Sequence, residues 1–84
     1  MAKVIKEWGT YRVSIAVEAG KDDANREDTH VHVYKRGRRT QTRIPGNNKD
    51  LDREDFEIAQ DLFEENYKEI SKLYEDVKNG KYDI

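Results

Sequence analysis

Residues 52–79 read DREDFEIAQDLFEENYKEISKLYEDVKN. Phe56, Ala59, Phe63, Ile70, Leu73 and Val77 fall there at alternating three- and four-residue steps, Asn66 being the one interruption, and Leu62 and Tyr74 widen the stripe. That period gathers apolar side chains on one face and charges on the other, so the stretch reads as one long helix. Asp52 suits the N-cap, and Glu54 and Asp55 stand in the first turn, where the helix dipole favours carboxylates. Leu51 and Phe56 occupy the two positions of a hydrophobic staple. Lys78 lies in the last turn and Gly80 just beyond it, where a left-handed cap needs a residue without Cβ. At 1.5 Å per residue the helix spans about 40 Å. A helix that long and that amphipathic needs a surface to lie on.

The first half of the chain supplies strands. Val4 to Trp8 reads as a short strand with Val4 and the Trp8 ring turned inward, broken by Gly9-Thr10. Tyr11, Val13, Ile15 and Val17 then alternate with Arg12, Ser14, Ala16 and Glu18, the period-two pattern of a half-buried strand. Gly20 to Asp28 is polar and reads as an exposed loop. In the next strand Val31 and Val33 face one way and His30, His32 and Tyr34 the other. Arg36-Gly37 suits a tight turn, after which Arg39 to Ile44 returns as a further strand. Pro45-Gly46-Asn47-Asn48 ends the sheet. Hairpin connections suffice throughout, so no crossover is required.

Eighty-four residues make one domain. With 35% hydrophobic and 40% charged residues the core is thin, and a chain this short buries only about 60% of its unfolded surface. The absence of cysteine leaves no disulfide and no thiolate metal site. Residues 1–7 carry no apolar leader, and no run approaches the roughly 18 apolar residues of a membrane span, so a cytoplasmic protein with no membrane partner is expected. The net charge of −2 conceals an asymmetry. Residues 1–49 hold 11 Lys/Arg against 6 Asp/Glu, a balance of +5, and residues 50–84 hold 5 against 12, a balance of −7. Such a dipole suits two layers held together by charge.

His30 and His32 are the two histidines of the chain. Their spacing puts both on one face of a strand, roughly 6.5 Å apart along it. Imidazoles titrating near neutrality suit general acid–base chemistry, which makes His30 and His32 the candidate catalytic residues. No nucleophile or second acid accompanies them at a telling spacing. As metal ligands they fall short of the three or four a zinc site needs, so neither metal nor cofactor is expected. The competing reading is two solvent-facing strand histidines.

Lys35, Arg36, Arg38, Arg39 and Arg43 put five positive charges into nine residues with no acid among them. A hairpin of this kind lies well along a phosphate backbone, with Tyr34 stacked on a base, so Tyr34 joins these five as candidate partner-binding residues. The alternative pairs the arginines with helix carboxylates, at roughly 0–1 kcal/mol each. Asn66, inside the apolar stripe, suits a bond to the sheet backbone or a register-fixing role between two helices of a dimer.

Gly9-Thr10-Tyr11-Arg12-Val13, an acidic loop, His30-Val31-His32-Val33-Tyr34-Lys35 and a helix containing Glu65-Asn66 together resemble a small bacterial family of unknown function. That family is marked by a His-x-His-Val strand, and its genes often lie beside toxin–antitoxin-like partners. It usually carries proline where Thr29 stands here and tryptophan where Tyr74 stands. A second likeness is to the HicA-type messenger-RNA interferases. Thr29-His30, a basic hairpin, Ile44-Pro45 and Lys49-Asp50-Leu51 before a helix are similar to their Ser-His…Val-Pro…Lys-Glu-Leu order. That likeness implies His30 as the catalytic histidine, while Asn47 or Asn48 stands near the place of their second histidine.

The expected fold is a single α+β domain over 1–84. Residues 1–50 form an antiparallel meander of three to four strands, 51–80 one long helix packed across one face, and 81–84 a tail in which Tyr82 and Ile84 dock or fray. The expected function is a non-enzymatic interaction module, of toxin–antitoxin or phage-associated origin, contacting a protein or nucleic-acid partner. The alternatives are a small ribonuclease with His30 as general acid or base, and a protein-binding homodimer.

Overall fold

The computed structural model describes residues 3–20, 28–46 and 48–82. Four strands, β1 (Lys3–Gly9), β2 (Val13–Ala19), β3 (Val31–Lys35) and β4 (Arg38–Ile44), form one antiparallel sheet in the order β1-β2-β3-β4. Helices α1 (Arg53–Glu65) and α2 (Tyr67–Lys78) follow and pack on one face, chiefly over β2. The meander and the helical layer are those the periodicities predict. Of the segment Gly20 to Asp28, residues 21–27 lie outside the described residues, as do Asn47 and Ile84.

The helix-facing side of the sheet carries Trp8, Val13, Ile15, Val17, Val31, Val33 and Ile44, closed over by Leu51, Ala59, Ile70 and Val77. Burying each such aliphatic side chain contributes about 1.5–3 kcal/mol, which is what holds the two layers together. Two ionic clamps fix the helices on this core. Asp55, in the first turn of α1, accepts from Lys35 of β3 and from Arg12 between β1 and β2. Glu69 of α2 accepts from Trp8 Nε1 and Lys6 Nζ of β1, both at 2.6 Å. The Lys6 contact, then the Trp8 bond, holds the Glu69 carboxyl below the usual range.

The structure corrects the expectation at five points. The helix is two helices, because the Asn66 side chain donates to Leu62 O at 2.9 Å, the carbonyl its own backbone N–H also uses at 3.2 Å. A side chain inserted into the helical ladder kinks it, and the turn at Asn66 is such a kink. Asn66 therefore bonds within its own helix and not to the sheet. Val4 is 41% exposed, because a bulge between Val4 and Lys6 shifts the register and pairs Val4 with Glu18 on the opposite face. Tyr11 precedes β2 and is exposed. All seven residues of β2 are buried, Ser14, Ala16 and Glu18 included, since long side chains of the flanking strands close over this central strand. His30 precedes β3 and is buried.

Three local features agree with the sequence. Asp52 caps α1, its side chain accepting from Asp55 N at 3.0 Å. Arg36 and Gly37 take φ of 51° and 81°, the conformation of a two-residue hairpin turn. Gly80, at φ 79°, follows α2, and Tyr82 packs against the core. On β4 the backbone N–H of Gln41 donates to the Asp50 carboxylate and that of Thr42 to Thr40 Oγ1. Among the described residues no helix is long and apolar enough to cross a membrane.

Candidate anion-binding face

The sheet face turned away from the helices gathers alternate residues of every strand. Register sets Glu7 beside Ala16, Ala16 beside His32, Ser14 beside Tyr34, Tyr34 beside Arg39, and His32 beside Arg43. The register shift in β3–β4 is two residues, so Arg39 and Arg43 remain on the same side.

Glu18 is the hub of this face, with its side chain 1% exposed. Tyr34 Oη donates to Oε2 at 2.6 Å and Arg39 Nε donates to Oε2 at 3.2 Å, while Arg39 Nη2 lies 3.0 Å from Oε1. One hydrogen bond and one close charge contact thus hold the guanidinium against the buried carboxylate. Burial, then the bond to Glu18, pushes the Tyr34 phenol up to about 12. Arg39 Nη2 also approaches His32 Nδ1 at 2.9 Å. A guanidinium has only donors, so that ring nitrogen accepts.

The six candidate partner-binding residues do not share one surface. Lys35 is spent on Asp55, at 2.7 Å on the helix side. Arg36 and Arg38 are exposed at the hairpin tip. Tyr34 is half-buried with its hydroxyl on Glu18, so its ring is part of the sheet rather than a free stacking platform. Arg39 and Arg43 remain together. With His32, Thr40, Gln41, Thr42 and Lys49 they line a cleft of about 360 Å³ that has no carboxylate among its described lining residues. Two acids reach residues of this wall from outside it: Glu18 pairs with Arg39, and Asp50 accepts from the Gln41 amide.

The candidate catalytic pair is brought together but not exposed. The rings of His30 and His32 meet edge to face at 5.1 Å, and His30 meets Tyr74 in the same manner at 5.0 Å. His30 is 2% exposed, with Nδ1 3.2 Å from Asp28 O. His32 keeps 14% of its side chain exposed, at the wall of the cleft. Among the described residues no group of three or more His, Asp or Glu is disposed to hold a metal ion.

Glu18 and Lys49 escape a reading of the sequence. Glu18 alternates with apolar residues like any solvent-facing strand position, and only the pairing of β2 with β3 reveals its neighbours. Lys49 stands outside the basic run, ten residues along the chain from Arg39, and reaches the cleft through the turn after β4. Comparison with models of known families, with curated protein sequences and with solved structures finds no match to this chain.

Proposed function

We propose that this protein is a small, cytoplasmic, non-enzymatic interaction module that contacts a single-stranded nucleic acid along the open face of β4. The observation that carries this reading is the cleft with Arg39, Arg43 and Lys49 in its wall and no carboxylate among its described lining residues. In a protein of net charge −2, Arg43 and Lys49, which meet no acid among the described residues, stand beside the Glu18-paired Arg39 and mark a locally positive surface on which phosphates are favoured. The exposed Arg36 and Arg38 extend that surface toward the hairpin tip. The burial of His30 behind Tyr74 favours binding over catalysis, because a general acid or base must reach the proton it transfers. The likeness to the His-x-His-Val family supports a toxin–antitoxin or phage-associated setting.

The test is a fluorescence-anisotropy titration with a short mixed-sequence RNA over a range of salt. Neutralising about three phosphates of a single strand gives a slope of about −2 for log Kobs against log salt. A slope near zero, or no binding at low salt, excludes this reading and directs the search to a protein partner. Intact RNA after prolonged incubation is the expected result of the parallel cleavage assay.

A further inference from the structure

We infer that the β4 cleft is a discrete site for one phosphate group, and not merely a positive region of surface. This deepens the nucleic-acid reading and rests on it for the identity of the larger ligand. The inference stands on the unspent donors that point to an oxyanion.

Arg39 is held from behind. Its Nε and Nη2 are engaged by Glu18 and His32, so the guanidinium is fixed before any ligand arrives, and Nη1 has no partner among the described residues. Arg43 is half-buried, yet among the described residues its guanidinium meets no carboxylate and its buried Nε has no acceptor. Gly46 makes room for it, since a Cβ there would stand 3.3 Å from Arg43 Nε. Lys49 adds an exposed ammonium with no ion pair among the described residues. Buried donors are ordinarily satisfied, and a half-buried cation is ordinarily paired. Here the cleft brings Arg43, Lys49 and the remaining Nη1 of the Glu18-bound Arg39 into one concave wall that has no acid among its described lining residues. A tetrahedral oxyanion meets that requirement, because it accepts from a planar fork and from an ammonium at the same time. The phosphate is either a backbone phosphodiester or a terminal phosphomonoester of a strand.

The experiment is an NMR titration of the ¹⁵N-labelled full chain with inorganic phosphate, and with sodium chloride at matched ionic strength. A saturating change at the amides of 39–43 and 49 and at the Arg39 and Arg43 Nε–H signals, absent with chloride, is expected. Arg43→Gln and Lys49→Gln each weaken it at least tenfold, while Arg38→Gln changes it less than twofold. Lys49 is exposed, so its variant reads binding without risk to the fold. Non-saturating shifts, equal shifts with chloride, or full affinity in Lys49→Gln overturn the inference. Two further arms use one short RNA with a 5′-phosphate or a 5′-hydroxyl. Preference for the 5′-phosphate, competed by inorganic phosphate, identifies a terminal monoester, and equal competed binding identifies the backbone. Phosphate saturation with neither RNA bound keeps the phosphate site and overturns the nucleic-acid reading. RNA binding that phosphate does not compete, with residues 39–49 unmoved, does the reverse.

Discussion

Lys35 Nζ lies 2.7 Å from Oδ2 of Asp55, a carboxylate whose side chain is 2% exposed at the start of α1. Arg12 Nε donates to the other oxygen of the same carboxylate at 3.0 Å. One buried acid thus ties the helical layer to β3 and to the turn between β1 and β2, and it turns Lys35 away from the other candidate partner-binding residues on the open face. The Lys35 contact, opposed by burial and reinforced by Arg12, holds the Asp55 carboxyl below the usual carboxylate range. A carboxyl depressed in the folded state stabilises fully above its unfolded pKa of about 4, and that contribution fades as pH falls through the folded value. Asp55→Asn is expected to unfold at lower urea than the wild type at pH 7, with the gap narrowing below about pH 4. Parallel stability profiles from pH 7 to pH 2 would show that the clamp contributes nothing.

Tyr34 offers the opposite limb. Its phenol, raised to about 12 against about 10 in an unfolded chain, stabilises the fold below pH 10. That contribution is lost as pH rises toward 12. Absorbance at 295 nm should show late tyrosine ionisation, and Tyr34→Phe should reduce its amplitude by one tyrosine. Glu18→Ala, which leaves the Arg39 fork and the Tyr34 hydroxyl without an acceptor, is expected to cost about 2 kcal/mol. For a domain of this size that is a fall in Tm of about 10 °C.

Backbone conformation makes two predictions of opposite sign. Gly9 has φ of 119°, and a Cβ there would stand 2.6 Å from Val13 O and 2.9 Å from Leu62 Cδ1. Gly9→Ala should therefore separate the first hairpin from α1 and cost more than about 2 kcal/mol. Arg36, with φ of 51°, occupies the left-handed region at the side-chain penalty of about 1–2 kcal/mol. Arg36→Gly relieves it and should raise Tm by several degrees in thermal melts. A fall in Tm would mean that the Arg36 side chain stabilises the hairpin tip.

At the kink, Asn66→Ala removes the bond to Leu62 O and inserts the best helix former. Chemical denaturation should register a gain of about 0.5 kcal/mol, with amides 64–68 exchanging more slowly as the two helices join. A loss beyond about 1 kcal/mol would instead assign the kink to the packing of both helices on the sheet.

The element order was legible because each element buries one face, and burial writes its period into the chain. Val13, Ile15 and Val17 mark a strand, and Ala59, Ile70 and Val77 a helix. The kink was not legible, because the apolar stripe passes through Asn66 in phase on either side of it. Nor was the bulge beside Val4, which depends on how β1 meets β2 and not on β1 itself. The candidate cleft was legible in part of its residue types, since the basic run contains Arg39 and Arg43. Its division was hidden, because hairpin side chains alternate between faces and so Lys35 goes to Asp55 while Arg39 goes to Glu18. His30 reads as a surface residue because polar residues surround it in sequence, while Tyr74, which covers it, lies forty-four positions away.

The outer margin of β4 has a consequence for the protein in concentrated solution. A bare strand edge is a template on which further chains add, and proteins that leave one uncovered tend toward fibrils. Here the Gln41 amide is occupied by Asp50 and the Thr42 amide by Thr40, at the irregular middle of the strand, with arginines on either side. A second molecule that approached this edge would meet donors already engaged and a row of like charges. The protein is thereby guarded against indefinite sheet growth at the margin that lies nearest to its exposed cations.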